Sequence, residues 1–340
     1  MSFKAFSKLT LISIFLIIVA GGVVRMTGSG MGCPDWPKCF GLIIPPTDIG
    51  QISWDANKSF EQGQMIIFEE KLRIANSSFD SDENYNSSNW TLYTKHDYAK
   101  FNVAHTWTEY VNRLIGALSG LLTFIMLIWS LKFWKTKRRI TYLSALVVFL
   151  MGFQGWLGAT VVYSVLQPIQ ITIHMLMALV IIALMVYLIS EIPDDKKTTV
   201  FVFDKRLKMV LKLAIVLSLI QIAFGTQVRQ LIDEIAKSFD YGQRELWLGL
   251  AGNTFKLHRS FAILLVLTNG YLFYRNYKLR LGFQLVNVLM LTILLEVLSG
   301  VVLVYMGMPA LMQPVHLVAA AALFVLQIAV YLQINKLSSN

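Results

Sequence analysis

Two stretches decide the fold: GATVVYSVLQPIQITIH at 158–174 and GVVLVYMGMPALMQPVH at 300–316. Each opens on a glycine and closes on a histidine sixteen residues later, Gly158 to His174 and Gly300 to His316. Tyr163 and Tyr305 fall at the same offset, and each histidine opens a long apolar run. A second pair of stretches agrees with the first: YVNRLIGALSGLL around Asn112 and Arg113 echoes KLHRSFAILLVL around His258 and Arg259. The echoes predict two related halves that place nitrogen-bearing side chains at corresponding depths in a membrane. A repeated intramembrane histidine is costly, and a bound metal or haem is the ordinary reason to keep one.

The membrane reading rests on apolar length. The chain has 340 residues, 56% of them hydrophobic, and eight runs are long enough to cross lipid. They fall at about 8–27, 104–131, 141–163, 168–190, 209–228, 256–275, 282–305 and 311–334, the fifth and sixth having the shortest apolar cores. The first run is too long for a secretion signal and no clean small-residue cleavage site follows it, so it reads as a retained span. The expected fold is an all-α polytopic membrane protein, eight transmembrane helices arranged as two repeated four-helix bundles. The halves are 1–195, with a long external segment 28–103, and 196–340. With four spans in each half, the repeat is parallel, about an axis along the membrane normal.

Basic residues set the orientation. Lys132, Lys135, Lys137, Arg138 and Arg139 crowd the link between spans two and three, and Lys196, Lys197, Lys205, Arg206 and Lys208 fill the one between four and five. Arg275, Lys278 and Arg280 follow span six, whereas the links at 164–167 and 306–310 carry no Lys or Arg. Both termini are therefore expected in the cytoplasm and 28–103 outside. The net charge of +10 follows this asymmetry and the anionic lipid surface, and nucleic acid is not an expected partner. Within the external segment, 59–75 is patterned as an amphipathic helix lying on the bundle or the membrane. The polar run 76–89 is expected to be mobile.

This topology brings Asn112, His174, His258 and His316 to the outer ends of four helices that run in the same direction. Two neutral imidazoles, His258 and His316, make a suitable axial pair for haem iron. The first half departs from that pattern, because Asn112 stands where the second half has His258. Either His174 alone holds a haem there, or His105, seven residues before Asn112 on the same helix face, supplies a second ligand. Glu109 lies between those two, and Phe255 takes its place in the second half. One half thus reads as a closed electron-transfer site, and the other as an open site with a carboxylate. Arg25, Arg113, Arg229 and Arg259 stand at outer helix ends and suit haem propionates or lipid phosphates. Cys33 and Cys39 are the only cysteines, and an oxidising exterior favours a disulfide, as a staple or as a redox-active pair.

TGSGMGCPDWPKCFG (27–41), TWTEYVNRLIG (106–116), LHRSFA (257–262) and QPVHLVAAAALF (313–324) together resemble haem A synthase, the cytochrome oxidase assembly family, in its cysteine-containing bacterial type. The resemblance covers nearly the whole chain apart from about 60–95. It implies an oxidoreductase that converts haem O to haem A by oxidising the C8 methyl group to a formyl group through hydroxylated intermediates. It also implies haem b as cofactor, its iron on His258 and His316 with Arg229 and Arg259 nearby. The substrate haem falls to the first half, near His174, Asn112, His105, Arg113 and Arg25, with Glu109 as the catalytic acidic residue. Many family members have histidine where this chain has Asn112, which leaves the substrate iron's second ligand open. Haem O synthase and an electron acceptor such as a quinone are the implied partners. The competing readings are a di-haem electron-transfer cytochrome with a quinone partner and a repeat-built secondary transporter.

Overall fold

The computed structural model describes residues 1–193 and 201–337. The proposed boundary between halves, and Lys196 and Lys197 of the basic link, lie outside the described residues. The long helices are α1 (Phe3–Met26), α2 (Val103–Ser130), α3 (Arg138–Tyr163), α4 (Pro168–Glu191), α5 (Lys205–Ser238), α7 (Gly252–Lys278), α8 (Leu285–Tyr305) and α9 (Met312–Leu337), with a short α6 (Arg244–Leu250) before α7. Their starts are written locally. The side chains of Ser2, Asn102 and Asp204 accept from backbone N–H groups in the first turns of α1, α2 and α5, and Pro168 opens α4.

Seven of these helices are long and apolar enough to span a bilayer, which makes the chain a multi-pass membrane protein. The expected sixth span is helical, as α7, but falls outside that group: Lys256, His258, Arg259, Asn269 and Asn276 interrupt its apolar run. Helix α1 packs on α2 and α4, and α3 packs on both α2 and α4. In the second half α5 packs on α7 and α9, and α8 on both of those. The two groups meet through α1, α4, α5 and α9. A buried core of Phe3, Phe6, Met126, Ile140, Val147, Leu179, Met185, Leu188 and Phe324 joins the first group to α9. In the second group a fully buried polar chain ties three helices: Ser218 donates to Gln327 at 2.8 Å, and Gln327 donates to Asn269 at 3.0 Å. Such side-chain bonds between helices substitute for water that lipid does not supply.

The segment 28–103 corrects two expectations. Residues 59–75 are strands β1 (Ser59–Phe60), β2 (Met65–Phe68) and β3 (Lys71–Ala75), not an amphipathic helix. Glu69 and Glu70 both adopt positive φ, 51° and 59°, the two-residue turn that matches the twist of a hairpin. Ile66, Ile67 and Ile74 then sit in the pleated environment that β-branched side chains favour. The polar run 76–89 is structured too. β4 (Phe79–Asp80) pairs with β1, and Tyr85 stacks on Phe68 with ring centres 4.0 Å apart. β5 (Trp90–Leu92) completes a sheet with β3.

Candidate functional site

Each of the three membrane histidines rests against a glycine of a neighbouring helix, with a polar side chain one turn before that glycine. His174 on α4 meets Gly158 and Gln154 of α3: Gln154 Nε2 donates to the His174 carbonyl at 3.0 Å and lies 3.4 Å from its Nε2. His258 on α7 meets Gly225 and Gln221 of α5 in the same way, with the donation at 3.1 Å and Nε2 at 3.5 Å. His316 on α9 meets Gly300 of α8, and its Nδ1 lies 2.6 Å from Glu296 Oε2 and 2.9 Å from Ser299 Oγ. A Cβ at position 225 would stand a tight 3.2 Å from His258 Cε1, while at 158 and 300 it would make an ordinary 3.5 Å contact with the imidazole. The sequence reading missed these partners. Their signal is a Gln or Glu four residues before glycine in three separate spans, 154/158, 221/225 and 296/300.

The rings of His258 and His316 face each other, with centroids 6.4 Å apart and planes at 74°. Asn112 has no comparable partner: its Oδ1 is buried without a hydrogen bond, and α1 contains no Gln or Glu. Gly116 and Gly120 follow Asn112 on one face of α2. A Cβ at either of these or at Gly152 would meet nothing within 4 Å, so none of the three marks a close helix contact. Gly155 instead faces Trp36, and Gly158 faces His174.

Glu109 and Arg113 sit beneath the loop that Cys33 and Cys39 close as a disulfide. Glu109, 4% exposed, accepts from Cys33 N–H at 2.9 Å and pairs with Arg113 at 2.6 Å. Arg113 also donates to the carbonyls of Asp35 at 2.7 Å, Lys38 at 2.8 Å and Cys33 at 3.4 Å. The loop lies close because Gly32 has no side chain: a Cβ there would fall 2.5 Å from the His105 carbonyl. His105 itself is half-buried in the first turn of α2. On the other side the Pro34 carbonyl meets Tyr93 Oη and His96 Nε2, both at 2.9 Å. Burial pushes the Asp35 carboxyl above its usual range, against the pull of the Gly41 and Phe40 N–H groups and Arg113.

Two of the remaining arginines share one aspartate. Arg25 reaches from α1 to α5, where it donates to Gln230 at 3.1 Å and pairs with Asp233 at 3.3 Å. Arg229 pairs with the same Asp233 and donates to the Arg25 carbonyl at 3.4 Å. Arg25 and Arg229 thus form one cluster between the halves, around an aspartate the sequence reading did not single out. Arg259 is exposed, its guanidinium 5.8 Å from the Phe255 ring centre. A second bridge between halves runs close to the histidines. Thr172, two residues before His174, bonds Thr226 at 2.9 Å and accepts from Gln227 at 2.8 Å.

Residues 4–80 and 70–328 match the model of a family described as cytochrome oxidase assembly protein. Among curated relatives, the heme A synthase of Shewanella oneidensis is 29% identical over 181 residues, covering 53% of this chain and 43% of that protein. That of Bartonella quintana is 30% identical over 223 residues, 62% of this chain and 53% of its own length. That of Flavobacterium johnsoniae is 24% identical over 339 residues, 90% of each chain. The chain thus spans about half the length of the first two relatives and nearly all of the third. On the breadth of the family match, this chain belongs to the cytochrome oxidase assembly protein family.

Proposed function

We propose that this chain is a membrane oxidoreductase that converts haem O to haem A by oxidising the C8 methyl group to a formyl group, for cytochrome oxidase assembly. Heme A synthases recur among its relatives, and the observation that carries the reading further is the His258–His316 pair. Their imidazoles stand close together on neighbouring helices, ring centroids 6.4 Å apart, and two neutral imidazoles are the residues that would hold the iron of a resident haem b. That haem supplies an electron-transfer centre. Arg229 and Arg259 are the nearby cations for its propionates in this reading.

The two halves are repeated four-helix bundles, 1–195 for the substrate haem and 196–340 for the cofactor. Both termini are cytoplasmic and 28–103 is external, in the inner membrane of a bacterium. In the first half His174 provides an imidazole held by Gln154, while Asn112 and the glycines after it keep one face of α2 free of bulky side chains. A flat macrocycle suits such a face. His105 remains the second histidine of α2, and Arg113 and Arg25 the cations of that half. Glu109 is the group that accepts a proton as the methyl carbon is oxidised, and Arg113 holds its carboxylate in place before that transfer. With water as the oxygen source, taking the methyl to the formyl group releases four electrons and four protons, so the reaction requires an electron acceptor, such as a quinone, while haem O synthase supplies the substrate.

The test is chromatography of haems extracted from cells that make haem O, with and without this chain. Haem A or its hydroxylated precursor is expected only with it. Unchanged haem O beside a purified protein that carries haem b would instead favour a di-haem electron carrier.

A further inference from the structure

Three imidazoles share one kind of seat, a glycine with a polar side chain one turn before it, and one seat differs in chemistry. Glu296 stands at His316 where Gln154 and Gln221 stand at His174 and His258. The difference fixes a proton. Ser299 Oγ can donate to the Glu296 carbonyl at 3.0 Å, which leaves its oxygen available to accept from His316 Nδ1, 2.9 Å away. Glu296 Oε2, 2.6 Å from the same nitrogen, is an acceptor as well. Two acceptors at one nitrogen put the proton on Nδ1 and leave the lone pair on Nε2, the form of imidazole that binds a metal. At His258 the corresponding partner is a carboxamide that reaches the backbone carbonyl, and His258 Nδ1 is buried with no hydrogen bond.

We propose that Glu296 is the positioning residue of His316, holding its Nδ1–H form and making Nε2 an electron-rich donor that lowers the reduction potential of the bound iron. This rests on the reading of His316 as a haem ligand. A carboxylate that accepts from the outer nitrogen raises the basicity of the ligating one. A more basic ligand stabilises ferric iron over ferrous iron. The two axial ligands of one haem are then unequal, a strong donor from α9 and an ordinary one from α7. Glu296 sits inside a membrane helix with Oε1 buried and unpartnered, a costly position that a structural role alone does not require.

The experiment is a spectroscopic redox titration of the purified full-length protein in detergent, reading the reduced-to-oxidised ratio of its haem at a poised potential. Glu296→Gln is expected to raise that ratio about tenfold or more, roughly 59 mV for a one-electron couple. Glu296→Asp, which keeps the carboxylate, is expected to stay within about twofold of the parent. An intact haem spectrum with an unchanged ratio in Glu296→Gln overturns the proposal. So does an equal shift in the Asp and Gln variants, which would point to packing and not to the carboxylate. If Glu296→Gln does not accumulate with haem, Ser299→Ala reports on the same proton: a smaller rise supports the proposal and no rise overturns it. His316→Ala separates the two levels, since a full haem spectrum in that variant removes the ligand reading itself.

Discussion

Glu109 and Arg113, one helical turn apart on α2, form a 2.6 Å ion pair, and both reach on to the backbone of the disulfide loop above them. The carboxylate takes the Cys33 N–H, and the guanidinium takes three carbonyls. In the proposed function this makes Glu109 both a proton acceptor and an anchor. Glu109→Ala is expected to lower haem A formation by about a hundredfold or more while the haem b spectrum persists. Quantifying extracted haems against the absorbance of the purified variant checks it, and unchanged haem A would reduce Glu109 to an anchor alone.

If His258 and His316 hold haem b as proposed, His258→Ala and His316→Ala are each expected to lose the haem b spectrum, because only one imidazole would remain to bind the iron. His174→Ala is expected to leave that spectrum and lower haem A formation. Optical spectra of the three purified variants, taken at equal protein, decide between these outcomes.

Arg113→Ala removes charge-assisted bonds at about 1.5–3 kcal/mol each and leaves Glu109 buried without its cation. The loop is expected to loosen first. The readout is limited proteolysis near Trp36, with cleavage faster in the variant than in Arg113→Lys.

Asp35 sets a pH dependence in the same loop. Its folded carboxyl lies above its ordinary range because it is buried, so the folded state holds the proton more tightly than the unfolded one. That contribution is fully present below the unfolded pKa and is lost as pH rises through the folded value. The loop's protease resistance is therefore expected to fall as pH rises across that window. Asp35→Asn is expected to flatten the dependence.

Asp204 has the opposite sign. Hydrogen bonds from Arg275, at 2.7 and 2.9 Å, hold its carboxyl below the ordinary value while it caps α5 through Leu207 N–H. Its contribution is present above the unfolded pKa and disappears as pH falls through the folded one. Asp204→Ala is expected to cost about 1 kcal/mol at neutral pH from the lost cap. Thermal unfolding of both proteins at pH 7 and at acid pH measures the difference, which should shrink in acid.

The helices were legible because apolar length and caps are local. The span read at 168–190 is α4 at Pro168–Glu191, and that read at 141–163 is α3 from Arg138 to Tyr163. The insertion at 59–92 was not, since Met65–Ile67 and Leu72–Ile74 satisfy helical and strand periodicity alike. The deciding feature, positive φ at two consecutive glutamates, is one that few non-glycine residues adopt. The histidines were legible as a repeated, costly residue type. Their seats were not, because Gln154 and His174 are brought together by helix packing across twenty residues. Tyr163 and Tyr305 show the limit of the repeat: Tyr163 donates to the Trp36 carbonyl at 3.2 Å, while Tyr305 is 83% exposed.

The seven-residue ring from Cys33 to Cys39 has one more consequence. Its amide and carbonyl groups are the partners of Glu109 and Arg113, so opening the ring is expected to weaken its hold on those side chains. Such coupling is reciprocal. A molecule that draws Arg113 away from the loop must make the sulfur–sulfur bond easier to reduce, by the same factor by which reduction strengthens that molecule's binding. On the proposed function, thiol titration with and without haem O is therefore expected to report whether the Glu109–Arg113 site is occupied.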